Sequence, residues 1–153
     1  MGLDMYLWKV KREEVAYWRK ANAIHAWFER KFADDGELEN CRDYYVNKED
    51  LIELRNTCQT ILDKAIVTIG QVKNGERYNK DTNNWEPTYE VGEVIDNPDL
   101  AKELLPTQSG FFFGPTGYDK WYIEDLKSTI KQIDKVLETT DFDNETIAYS
   151  AWW

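Results

Sequence analysis

YDKWYIEDLKSTIKQIDKVLET, residues 118–139, carries the most regular hydrophobic pattern in the chain. Ile123, Leu126, Ile130, Ile133 and Leu137 recur at alternating three- and four-residue steps, which sets them on one face of an α-helix and leaves the charged residues on the other. A helix that is apolar along one stripe has to bury that stripe against something, and the rest of the chain supplies candidates on both sides.

On the C-terminal side, ETIAYSAWW (145–153) alternates Ile147, Tyr149, Ala151 and Trp153 with small or polar neighbours, the period of a strand. On the N-terminal side, Asp96-Asn97-Pro98 starts a short helix that ends before Pro106. Further back, IVTIGQVK (66–73) and PTYEVGEV (87–94) read as two strands joined by an Asn-, Asp-, Gly- and Lys-rich segment. Residues 66–95 are therefore expected to form an exposed hairpin insertion, with Asn74-Gly75 as its strongest turn signal. A second long helix follows Asn47 or Asp50 as cap and carries Leu51, Leu54, Cys58, Ile61 and Ala65 on one stripe. Tyr44-Tyr45-Val46 before it reads as a short strand. The first long helix is expected from Arg12 to about Ala33, striped by Tyr17, Ala21, Ile24, Phe28 and Phe32 and stopped at Asp34-Asp35-Gly36. Residues 3–11 read as an opening strand. The expectation is one α+β domain over 1–153, with three main helices packed on a small antiparallel or mixed sheet and a hairpin insertion.

Composition bounds the function. At 153 residues, 42% hydrophobic and 14% aromatic, with seven Trp and nine Tyr, the chain has the material for one core and is too apolar for disorder. No run approaches the length needed to span a bilayer, and the N-terminus lacks a signal-peptide pattern, so a cytoplasmic protein with no membrane partner is expected. Met-Gly opens the chain, but Tyr6 stands where myristoylation wants Ser or Thr. Cys41 and Cys58 are too far apart for a metal knuckle, and His25 alone does not complete a zinc set with them; reduced cysteines, no metal and no cofactor are the reading. The net charge is −10, and residues 95–153 carry five basic against eleven acidic side chains. Such a surface argues against direct nucleic-acid binding and favours solubility or a basic partner.

Two groups of residues carry chemistry. Trp18, Asn22 and His25, at i, i+4 and i+7 on the expected first helix, form a row at the border of its apolar stripe, with Arg19 adjacent. An indole, an amide, an imidazole and a guanidinium can hold a nucleotide-like ligand, or else satisfy backbone groups where helix and strand meet. The second group is 105–119, LPTQSGFFFGPTGYD, in which Gln108 and Ser109 precede three Phe set among glycines before a helix. It reads as an anion cradle on backbone amides or as a buried strand between turns, and it lacks both the phosphate-loop lysine and G-x-G-x-x-G. The candidate ligand-binding set is thus Trp18, Arg19, Asn22, His25, Gln108 and Ser109. Catalysis has one obvious general acid or base near neutral pH, His25. Asp141, Asp143 and Glu145 read as a solvated turn, and Trp152 and Trp153 would either close the core or serve a homodimer.

MGLDMYLWK (1–9), VAYWRKANAIHAWFE (15–29), YYVNKEDL (44–51) and LLPTQSGFFFGPTGYDKWYIEDL (104–126) together resemble a family of small, functionally uncharacterised proteins encoded by phages and prophages. The resemblance spans most of the chain and is weakest over 66–95. It implies a phage accessory role inside the host cell, acting on host machinery or defence by binding a host protein or sequestering a nucleotide-like small molecule. It implies no catalytic activity; the alternative is a small enzyme acting on a nucleotide or phosphorylated substrate with His25 as general acid/base.

Overall fold

The computed structural model describes Met5 and residues 11–153; the strand expected over 3–11 falls almost wholly outside them. In chain order the described elements are α1 (Asn22–Phe32), β1 (Tyr44–Val46), α2 (Lys48–Lys64), β2 (Val67–Asn79), β3 (Asn84–Ile95), α3 (Asp99–Leu104), α4 (Lys120–Thr139) and β4 (Ile147–Tyr149). The architecture is mixed helix and strand: four helices with two separate two-stranded antiparallel sheets, β1–β4 and the β2–β3 hairpin.

The helices whose periodicity is strongest fall where the pattern puts them. Asn47 caps α2, its side chain accepting from the Asp50 N–H at 2.8 Å while the Asp50 carboxylate accepts from the Asn47 N–H, a reciprocal box that satisfies two otherwise orphaned donors. Leu51, Leu54, Cys58 and Ile61 of α2 and Ile123, Leu126 and Ile133 of α4 are buried together with Ile24 and Phe28 of α1. Arg55 reaches across the α2–α4 seam to Asp134 at 2.9 Å.

The first helix is shorter than its hydrophobic pattern. It starts at Asn22, not near Arg12, because Lys20 takes a left-handed backbone (φ +56°) that no helix interior accommodates. Tyr17, expected on the buried stripe, is 62% exposed. The hairpin also differs: its strands run through the polar middle, and the turn is Lys80–Asn83, with Asn83 at φ +56°. Asn74-Gly75 is not the turn. Asn74 is the extra residue of a bulge, where the pairing steps from Lys73↔Tyr89 to Gly75↔Thr88.

The C-terminal segment is a strand only over Ile147–Tyr149, pairing with β1 in the register Tyr44↔Tyr149, Tyr45↔Ala148 and Val46↔Ile147. The Tyr149 ring stacks on Phe28 at 3.9 Å and 7°, which ties β4 to α1. Among the described residues no helix is long and apolar enough to cross a membrane.

Candidate functional site

The site is organised by the segment between α3 and α4. Leu105, fully buried, anchors one end, its carbonyl accepting from the Tyr122 hydroxyl at 2.8 Å. At the other end Asp119 caps α4 by accepting from the Trp121 N–H at 3.0 Å. The Thr107 hydroxyl donates to the Thr116 carbonyl at 2.9 Å and closes the base of the loop. Asn22, buried at the start of α1, holds the middle: its amide nitrogen donates to the Phe113 and Pro115 carbonyls at 3.0 and 2.8 Å, and its oxygen accepts from the Gln108 N–H at 3.0 Å. Only a side-chain amide offers two donors and an acceptor in that planar spread, so the loop's shape depends on one residue of α1.

The expected alternatives for 105–119, buried strand or anion cradle, both give way to a tight turn. The Phe113 N–H donates to the Gly110 carbonyl at 3.2 Å, which puts Phe111 and Phe112 at the two corners. A Cβ on Gly110 would lie 2.7 Å from the Phe113 ring, so the turn requires glycine there. Phe111 is 93% exposed and Phe112 59%, and the two rings meet edge to face at 4.6 Å. The cap on α4 leaves no anion seat at that helix end, because the Asp119 carboxylate already occupies it.

Phe113 turns inward and joins a polar knot behind the loop. His25, 8% exposed, lies edge to face with Phe113 and with Trp153, each at 5.2 Å. The Tyr149 hydroxyl is 2.6 Å from His25 Nδ1. Burial, with Glu29 nearby, pushes the Tyr149 phenol up, so it stays protonated and donates to Nδ1; the imidazole proton then sits on Nε2, facing Glu29 Oε2 at 3.6 Å. Glu29 also accepts from Gln108 Nε2 at 2.9 Å and from the Leu38 N–H at 3.1 Å. Burial lowers the His25 pKa below 6.5 and outweighs the opposing pull of Glu29. Two buried atoms of the knot, His25 Nε2 and Gln108 Oε1, have no hydrogen-bond partner among the described residues.

In front of the loop's inner wall lies an open cleft of about 630 Å³ between the start of α1, β2 and the first turns of α4. Arg19, Lys20, Asn22, Pro115, Trp121 and Asp125 line it, with Lys73 and Glu76 of β2, themselves paired at 2.8 Å, along one side. Burial, with Glu124 and Asp119 nearby, raises the Asp125 carboxyl from 3.8 to about 7. No donor among the described residues reaches that carboxyl.

The six residues expected to form one ligand surface are thus divided. Arg19 and Asn22 line the cleft, although the Asn22 amide is spent on the loop. His25 and Gln108 belong to the knot behind it, and Ser109 is exposed on the loop outside the cleft lining. Trp18 does not share a helical row with the others, since the chain breaks at Lys20; its indole donates to Thr129 Oγ1 at 2.9 Å and packs edge-on against Phe28. The sequence pattern gave no site role to Lys20, Glu29, Trp121 or Asp125, and marked Tyr149 only as a strand residue. Their roles arise from contacts between distant segments. The Phe triplet did stand out, and its signal was composition: residues 106–118 contain no charged side chain in a chain that is 31% charged.

Among the described residues no three His, Cys, Asp or Glu side chains converge as a metal site. No protein-family model matches the chain, and no curated protein or solved structure is significantly similar to it.

Proposed function

We propose that this chain is a non-enzymatic phage accessory protein that acts in the host cytoplasm by docking on a host protein, with countering of host defence as its setting. The observation that carries the docking reading is the Phe111–Phe112 turn. Corner positions of a tight turn usually hold Gly, Pro, Asn or Asp, yet here they hold two large apolar rings, directed outward by a loop fixed through Asn22 and Phe113. Burying two such rings in a partner's pocket is worth roughly 3–6 kcal/mol before association costs, and a loop already fixed in shape lowers the ordering cost. Paired aromatic anchors of this kind are typical of binding hot spots. The acidic surface favours a partner whose pocket has a basic rim. The phage setting follows from the sequence resemblance. The imidazole of His25, on which an enzymatic reading relies, lies in the knot and not in the cleft lining.

The test is affinity capture from the host lysate with the wild-type protein and with Phe111→Ser/Phe112→Ser, followed by reconstitution of the pair from purified components. Both positions are exposed, so the double variant keeps its fold. A partner that binds the wild type and is lost by the double variant supports the reading; equal binding by both proteins, or no partner for either, removes it.

A further inference from the structure

The cleft beside the loop is a second, independent feature. Its volume of about 630 Å³ lies within the range of small-molecule sites, about 300–1,000 Å³. Besides the Lys73–Glu76 pair and Glu124, its lining holds three groups able to meet a ligand. At one end Arg19 and Lys20 are exposed and make no ion pair with any described residue, whereas Lys73 of the same lining is paired with Glu76. On the α4 side Trp121 presents an accessible indole, one face of which carries the Lys120 ammonium 4.4 Å from the ring centre. One turn further along α4 stands Asp125, reachable from the cleft and without a donor among the described residues.

From these three groups we infer that the cleft binds a phosphorylated nucleoside, with its phosphate at Arg19 and Lys20, its base against Trp121 and a hydroxyl or amino donor on Asp125. Each part answers one chemical feature of that ligand. Two adjacent cations neutralise a phosphate, and the start of α1, which has no side-chain cap and no acidic residue in its first turn, adds a favourable field. The accessible part of the Trp121 indole offers stacking area, and a carboxyl is the usual partner of a ribose diol or an amino edge. Free phosphate would use only the first group and an uncharged nucleoside only the other two, so neither satisfies the whole cleft. The nucleotide site is separate from the docking turn: Phe111 and Phe112 do not line it.

Isothermal titration with AMP and ADP, compared with adenosine, and with GMP, compared with guanosine, each also against inorganic phosphate, tests the inference. At least one nucleotide is expected to bind about tenfold more tightly than either fragment, and Arg19→Gln/Lys20→Gln to lose about tenfold in that affinity. Asp125→Asn should weaken the nucleotide and leave inorganic phosphate unaffected. Phe111→Ser/Phe112→Ser should bind the nucleotide as the wild type does, which separates failure of this inference from failure of the docking reading. Absence of nucleotide binding at millimolar concentration, binding no tighter than that of inorganic phosphate, or full affinity in Arg19→Gln/Lys20→Gln would overturn it.

Discussion

Replacing Asp125 with Asn should stabilise the protein, and by an amount that grows with pH. The folded carboxyl titrates at about 7 where the ordinary value is 3.8, so folding holds it neutral. A raised pKa contributes stability that is fully present below the unfolded pKa and lost as pH rises through the folded one. The wild type therefore loses stability at this site between about pH 4 and pH 7 and recovers none above. At ~1.4 kcal/mol per pH unit the whole displacement is an upper bound of ~4 kcal/mol, which opening of the side chain to the cleft reduces to ~2 kcal/mol. Asn has the shape of the neutral acid and does not titrate. Urea denaturation of both proteins from pH 5 to pH 8.5 should show the Asn variant gaining ~1–2 kcal/mol on the wild type across that interval, or roughly 3–6 °C in thermal midpoint. Other titrating groups cancel in the difference. A stability difference that stays flat from pH 5 to pH 8.5 would refute the reasoning and place Asp125 in an ordinary solvated environment.

Asn22→Ala should cost ~2–4 kcal/mol, because it strands two carbonyls and an amide of the loop, and hydrogen exchange should rise selectively over residues 106–118. The His25 ring should titrate by NMR below 6.5, and its depressed pKa means that its contribution to stability is present above pH 6.5 and falls as pH drops through the folded value, opposite in sign to Asp125. Thiol titration of the native protein should report Cys41 alone, since burial pushes the Cys58 thiol up to about 12; denaturant should release the second thiol. Lys20→Gly relieves a left-handed backbone and should raise stability by up to ~1 kcal/mol in thermal or chemical melts, whereas a loss of stability would mean that the Lys20 stem packed against Gly114 matters more than the strain.

The sequence by itself determined the elements whose signal is local. α2 and α4 announce themselves because a helix buries residues three and four apart, and the Asn47–Asp50 box lies within a single turn. The hairpin and α3 were legible for the same reason, as was the oddity of an uncharged, Phe-rich stretch before α4. Tertiary structure decided the rest. The apolar pattern before Asn22 is as helical as the pattern after it, but Lys20 breaks the helix where the chain packs against Gly114 of a loop ninety-odd residues away. The polar middle of β2–β3 has no apolar alternation to mark it; its strands persist because a backbone ladder, once begun, needs no buried side chains to continue. Side chains from the start of α1, from the loop and from α4 meet in the cleft, while His25, Glu29, Gln108 and Tyr149 meet behind it. Spacing along a chain fixes which residues share a face of one element; which faces of different elements come together is set by burial of the whole core, and that is written in no single stretch of the sequence.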